Sequence, residues 1–278
     1  MARTTAIPRP FLQTARRVRA ARPWVEPLAR FGYAARGVVY LLIGWLAIET
    51  ALGARRHVTD SHGALQYVAE KSIVLLWLLA VGLLGYAVWR VVQGVLDSEG
   101  KGGDPKGLAK RAGMVGSGLI YGGLALAAAR LAMGAHDSGG QATQAWTARL
   151  MSMPFGRWLV AFVGIGVLIG GVMQIRRGWL GKLSDVLIQG ISASQRRLAL
   201  RAGKLGLIAR GVVFLIIGGF LIQAAVRIDA SRARGLGGAL EALARQPNGA
   251  WLLGATAVGL AAFGVYSLLL ARYRRIVF

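Results

Sequence analysis

Cysteine is absent from the 278 residues, which excludes disulfide frameworks, thiolate zinc sites and thiol nucleophiles. Acidic residues are scarce, 11 Asp and Glu against 34 Lys and Arg, and His occurs only 3 times. Charged residues make up 16% of the chain, well short of the roughly 25% of an ordinary globular protein. That shortage argues against a soluble enzyme. The formal net charge of +23 sits on a chain that is 55% hydrophobic, a combination a soluble nucleic-acid binder has no need of, so no nucleic acid is expected as a partner.

Long apolar runs are what the chain has instead. A hydrocarbon core about 30 Å thick is crossed by roughly 20 helical residues, and such runs fall near 31–52, 73–96, 112–134, 158–175, 205–226 and 250–270. None shows the alternation of a barrel strand, and lipid leaves unpaired backbone groups unsatisfied, so each run is read as a helix. The fold class is an all-α membrane protein with six transmembrane helices.

Basic residues set the expected orientation. One face collects 21 Lys and Arg, among them Arg16, Arg17, Lys101, Lys106, Arg176, Arg196 and Arg275; the other collects nine, including Arg55, Arg56, Arg149 and Arg245. Both termini are therefore expected in the cytoplasm, in the inner membrane of a bacterium. The first run lies far from residue 1 and lacks a small-residue cleavage site, so it reads as a retained span. Residues 9–22 mix Phe11, Leu12 and Val18 with arginines before Pro23 and Pro27, which suits either a helix on anionic headgroups or a disordered basic tail. Trp24, Trp179 and Tyr273 on one side, with Trp158 and Trp251 on the other, read as interfacial anchors.

One unit recurs three times. Gly37-Val38-Val39-Tyr40 returns as Gly118-Leu119-Ile120-Tyr121 and Gly211-Val212-Val213-Phe214. The same offsets align Arg30 and Gly32 with Arg111 and Gly113 and with Lys204 and Gly206. In the second span of each unit Gly82, Gly166 and Gly259 correspond, and Pro154-Phe155-Gly156-Arg157-Trp158 parallels Pro247-Asn248-Gly249-Ala250-Trp251. Each unit reads as span, outer loop, span, with a short apolar segment in the loop at Ala64-Leu65, Ala145-Trp146 or Ala239-Leu240. Two spans per unit keep successive units in one orientation, so the expected architecture is three parallel two-helix repeats in a pseudo-threefold bundle. Its segments are a basic cytoplasmic N-terminal segment (1–27), repeat 1 (28–98), a Gly/Lys linker (99–107), repeat 2 (108–180), a basic linker (181–200), repeat 3 (201–274) and a cytoplasmic C-terminus (275–278).

A basic-x-Gly start, a Gly-x-x-Tyr first helix and a Pro-x-Gly-x-Trp start to the second, three times over, resemble the bacterial family carrying domain of unknown function 1206. The resemblance covers about residues 28–274 and implies a bacterial inner-membrane protein of paired-helix repeats with no assigned activity. No catalytic residue is carried over. Unit 1 departs from the pattern by lacking the proline and tryptophan, and unit 2 by placing Ser117 where the others have Arg36 and Arg210.

Glycine numbers 40, about twice its usual share of roughly 7%. Pairs such as Gly118/Gly122 and Gly166/Gly170 stand one turn apart, a spacing that lets membrane helices approach closely; hinges or a close-walled pore are the functional alternative. Ionisable residues inside a span cost roughly 2.5–3.5 kcal/mol on insertion scales, so each is a candidate site. Glu49, Arg130 and Gln223 are repeat equivalents near the outer boundary and define a possible polar cluster, with Glu49 and Arg130 expected to pair on the repeat axis or else to reach separately for the headgroups. Arg36 and Arg210, one turn inside the other boundary, are candidates for a lipid phosphate, with snorkelling as the alternative; Arg90 and Gln174 are read the same way. His57, His62 and His136, with Asp60 and Asp137, lie in outer loops, where a metal site (His57, Asp60, His62), a pH sensor and a plain solvated loop compete. The segment Gly100-Lys101-Gly102-Gly103-Asp104-Pro105-Lys106-Gly107 lacks the Gly-Lys-Ser/Thr core of a phosphate loop and reads as a flexible linker.

No nucleophile and base, carboxylate dyad or cofactor fingerprint is visible, so no catalytic residue and no cofactor is expected. The sequence supports a structural, lipid-binding or partner-binding membrane module. The alternative is a small-solute or ion path along the repeat axis through Glu49, Arg130 and Gln223. Membrane lipids, anionic on the cytoplasmic face, are the expected partners; no protein partner is indicated.

Overall fold

A computed structural model describes residues 22–55, 58–135, 142–181 and 191–274. Readings placed on the basic tail, on Arg56 and His57, on His136 and Asp137, on 182–190 and on the last four residues lie outside the described residues, as do the side chains of 22–25, Trp24 among them. Among the described residues nine α-helices follow one another: α1 (Arg22–Ala51), α2 (Ser61–Lys71), α3 (Ile73–Leu96), α4 (Pro105–Ala132), α5 (Ala142–Met151), α6 (Gly156–Leu180), α7 (Ala193–Arg227), α8 (Leu236–Ala244) and α9 (Gly249–Tyr273). Six of them are long and apolar enough to cross a membrane, so the chain is a multi-pass membrane protein.

The second helix of repeat 1 occupies the span read from hydropathy, but the first helices of repeats 2 and 3 begin well before their apolar runs. Asp104 accepts from the Gly107 amide ahead of Pro105, which opens α4. At Ser192 a complete capping box with Gln195 starts α7 twelve residues before Leu205. A helix of 35 residues is about 52 Å long, so α7 projects beyond any bilayer at the end that carries the described chain ends. The outer-loop segments form the short helices α2, α5 and α8; Asp60 caps α2 through the Gly63 amide at 2.9 Å, which is the role the structure gives that carboxylate.

The spans form an open ring in the order α4, α3, α1, α9, α7, α6, with its gap between α4 and α6. Its tight pairs are not the two helices of one repeat. Each first helix packs most extensively against the second helix of the preceding repeat: α4 on α3, α7 on α6, and α1 on α9, which joins the first repeat to the last. Small residues set these crossings at equivalent points. A Cβ added to Gly37 would lie 3.0 Å from the Gly264 carbonyl oxygen, one at Gly118 2.9 Å from that of Ala87, and one at Gly211 2.8 Å from that of Gly171.

The ring is closed within repeats 1 and 3, where α1 packs on α3 and α7 on α9; α4 and α6, the two spans of repeat 2, make no comparable contact. Gly32 abuts the Tyr86 backbone and Gly206 that of Phe263, while a Cβ at the equivalent Gly113 would meet nothing within 4 Å. Likewise Gly82 abuts Ala35 and Gly259 abuts Ala209, but Gly166 meets nothing. The small helices follow suit: Ala64, Leu65, Ala239 and Leu240 are buried, whereas Trp146 on α5 is exposed. The main core accordingly draws on α1, α3, α4 and α9 with parts of α2, α7 and α8, and the one fully buried apolar side chain of α6 is Val160, in a small separate cluster with α7.

Candidate functional site

Four residues before the tyrosine of the first-helix motif stand Arg36 and Arg210, and the fold turns both into the bundle. Arg36 is 5% exposed, which rules out snorkelling for that side chain. Its Nη1 donates to the Tyr86 hydroxyl and its Nη2 to Ser267 Oγ at 3.0 Å, while Ser267 donates onward to the Phe263 carbonyl at 2.8 Å. The Arg36 guanidinium carbon also sits 4.6 to 5.0 Å from the ring centres of Tyr33, Tyr86 and Phe263. Arg210 stacks at 4.9 Å on Phe214 and 4.9 Å on Phe263, with Tyr40 at 5.6 Å, and its Nε is buried without a hydrogen-bond partner. Both cations thus share the Phe263 ring.

Around them the aromatic groups interlock edge to face: Tyr33 on Tyr86, Tyr86 on Tyr121 and Tyr40 on Phe263. The Tyr40 and Tyr121 hydroxyls meet at 3.5 Å, so aromatic side chains fill the middle of the bundle at this level. Cation–π contacts, each about 0.5–2 kcal/mol, favour guanidinium over any smaller polar group here, yet rings carry no net charge to neutralise it. Among the described residues neither Arg36 nor Arg210 has a carboxylate within ion-pair distance.

A second polar layer lies nearer the chain ends. Glu99, just past α3, receives Arg274 at 2.6 Å, Gln93 at 2.7 Å and Lys101 at 3.3 Å, and Gln93 in turn accepts from Arg90 at 3.1 Å. Burial alone would raise the Glu99 pKa; Arg274 and Lys101 outweigh it and hold the carboxyl below its usual range. Burial works against the Arg274 charge, but nearby Tyr33 and Glu99 raise its pKa further. Arg90, for which the sequence left a lipid phosphate and snorkelling as alternatives, belongs to this network, and its equivalent Gln174 buries its Oε1 without a partner.

Glu49, Arg130 and Gln223 are not brought together. Glu49 pairs with Arg55 at 2.6 Å and accepts from the Trp45 indole at 3.0 Å, while Arg130 and Gln223 are exposed. The expected Glu49–Arg130 ion pair on the axis is therefore corrected. Nine residues separate Glu49 from the buried Tyr40 and Arg130 from the buried Tyr121, which is two and a half helical turns and hence the opposite face. Equivalence under the repeat fixes equal depth, not a common direction toward the axis. Of the metal candidates, Asp60 is a helix cap and His57 lies outside the described residues, among which no group of three or more His, Cys, Asp or Glu is placed to hold an ion. The Tyr86, Phe263 and Ser267 contributions to the site were missed by sequence reading; their signal was register, since Tyr86 and Phe263 stand at one second-helix position and Arg90 and Ser267 at another.

Comparison with known proteins accords with the repeat. The model of the family described as Domain of Unknown Function (DUF1206) matches residues 31–97, 112–181 and 205–274. The chain belongs to this family. It is also similar to Uncharacterized protein YxxB of Bacillus subtilis (strain 168), with 35% identity over 256 residues that cover 91% of this chain and 92% of the relative. No solved structure matches. In this DUF1206 chain the motif residues have separate tasks: the Gly-x-x-Tyr glycine sets the crossing between repeats, and in repeats 1 and 2 its tyrosine, Tyr40 or Tyr121, is buried in the aromatic cluster.

Proposed function

We propose that the protein is a lipid-binding module of the bacterial cytoplasmic membrane, with both termini in the cytoplasm, that takes the phosphate of an anionic phospholipid between Arg36 and Arg210. The observation that carries this reading is the pair of guanidiniums held in an aromatic, membrane-embedded cage with no carboxylate among the described residues to balance them. An arginine buried in a span without a counter-charge is costly, and a bound phosphate offsets that cost through charge-assisted hydrogen bonds. Arginine bias supports the sidedness: the end of the bundle nearest the cage carries Lys101, Lys106, Arg196, Arg197 and Arg272, a surface that concentrates anionic lipid.

Thermal unfolding in mixed micelles tests the reading. Phosphatidylglycerol is expected to raise the unfolding temperature more than phosphatidylcholine does, and Arg210→Gln, which breaks no described hydrogen bond, is expected to remove most of that difference. Equal stabilisation by the two lipids, or an undiminished difference in Arg210→Gln, rejects it. Stabilisation by inorganic phosphate alone, to the same extent, reassigns the site to a free anion.

A further inference from the structure

Three sectors surround the cage, and they are not alike. Repeat 1 supplies Arg36 from its first helix and Tyr86 from its second; repeat 3 supplies Arg210 and Phe263. At the same two positions repeat 2 has Ser117 and Gly170, so one guanidinium and one ring are missing from a single sector. That sector is also where α4 and α6 stand apart. Gly113 and Gly166, whose equivalents Gly32, Gly206, Gly82 and Gly259 abut backbone or methyl groups in the other repeats, meet no atom within 4 Å, and neither does Gly116, which stands where those repeats have Ala35 and Ala209. A side chain at Gly170 would point toward Phe214, 3.8 Å away, the ring on which Arg210 stacks at 4.9 Å. The parting of the helices therefore runs inward to the cationic cage. One turn beyond Gly170, Gln174 buries an Oε1 with no partner at the same seam.

We infer that the seam between α4 and α6 is a lateral slot in which one acyl chain of the bound phospholipid lies, its phosphate directed to Arg210 and Arg36. The inference rests on the lipid-binding reading above and adds to it the side of entrance and the second half of the ligand. Charge decides between occupants: a wholly apolar helix from a second copy would fill the slot but leave both guanidiniums uncompensated, whereas an anionic amphiphile satisfies slot and cage together. Gly113, Gly116 and Gly166 leave the space beside both helices open, so a polymethylene chain there can lie directly against helix backbone and gain close van der Waals contact. Repeats 1 and 3 admit no such chain, because Tyr86 and Phe263 fill the corresponding space and their backbones touch Gly32 and Gly206.

The full chain in nanodiscs containing phosphatidylglycerol with a photoactivatable diazirine on one acyl chain provides the test. Adducts are expected to concentrate on peptides of α4 and α6 around Gly113 to Ser117 and Gly166 to Gln174, at least fivefold over lipid-facing stretches of α3 such as Val81 and Val88. This measurement needs no variant. Gly170→Phe, which gives repeat 2 the ring of repeat 3, is expected to lower the seam adducts at least fivefold. Adducts spread evenly over all lipid-facing helices, or cross-linking of one chain to a second copy through α4 and α6, overturn the slot; if Arg210→Gln still abolishes the preference for phosphatidylglycerol, the phosphate reading stands without it. An undiminished preference for phosphatidylglycerol in Arg210→Gln overturns the phosphate reading and the slot's role in it, whatever the adduct pattern.

Discussion

Gly82, Gly166 and Gly259 occupy one repeat position in three surroundings, and the difference gives a substitution whose sign changes with the repeat. A Cβ at Gly259 would stand 2.2 Å from the Ala209 methyl carbon, and one at Gly82 2.5 Å from that of Ala35; both neighbours are fixed to helices that must then separate. Gly259→Ala is expected to destabilise the fold by about 1–3 kcal/mol through overpacking. Gly166→Ala meets nothing and gains helix propensity, so it is expected to be neutral or to stabilise by up to about 1 kcal/mol. Thermal unfolding of the two variants in the same detergent checks both signs. Residue-level constraints of another kind are readable directly: in Pro-x-Gly-x-Trp a Cβ at Gly249 would fall 1.9 Å from the Ala244 carbonyl oxygen and one at Gly156 2.1 Å from that of Leu150, which explains the glycine. Ser72 stands at that position in repeat 1, where it instead caps α3 through the Leu75 amide, so the missing proline is replaced by a different way of starting the helix. The sequence shows the glycines and their recurrence; what it does not contain is whether the partner helix has come close, because that depends on atoms contributed by another repeat.

Among the elements, the basic-x-Gly start of each first helix acts at a distance from its own repeat. Arg30 on α1 donates to the carbonyls of Ala271 and Arg272 at the end of α9, at 3.0 and 2.7 Å, and Arg111 on α4 donates to those of Gly94 and Val95 at the end of α3, at 2.8 and 2.9 Å. Lys204 on α7 keeps the position and places its ammonium 5.4 Å from the Trp179 ring at the end of α6. A cation over the last carbonyls of a helix satisfies groups that have no partner within it and opposes the helix dipole. Arg111→Met is therefore expected to cost about 1–3 kcal/mol, with Arg111→Lys recovering part of it, measured by the same unfolding assay. Hydropathy located six spans because apolar length is a local property, and it began the first helices of repeats 2 and 3 too late because α4 and α7 start on polar residues capped by Asp104 and Ser192. Glu49 and Arg130 show a similar limit: their equal depth is legible from spacing, but two and a half turns separate each from its repeat's buried tyrosine and set it on the opposite face, where Glu49 pairs with Arg55.

For the whole molecule, the Glu99–Arg274 bridge matters most among the described ion pairs, since it joins residues 175 apart and so fastens the end of repeat 1 to the end of repeat 3. The Glu99 carboxyl is held below its ordinary value of 4.5, so its contribution to stability is complete above that pH and is lost as the pH falls through its lower folded value. The wild-type unfolding temperature is expected to fall below pH 4.5, and Glu99→Gln is expected to be less stable near neutral pH and to show a smaller acid-dependent drop; an unchanged drop places the loss on Asp97, also held low by the Lys101 and Gly102 amides despite a desolvation effect that opposes them. The threefold plan was legible because it is written as recurrence, whereas the open seam was not: Ser117 and Gly170 are visible as substitutions, but only the assembled ring makes them neighbours. The stagger of that ring bears on synthesis as well. No repeat completes its closest packing by itself, and α1 takes its principal partner from α9, the last described span to leave the ribosome. Through translation of every helix between them, the first span waits in the membrane with its Gly37 and Gly44 face uncovered, and that interface forms only when the final helix arrives.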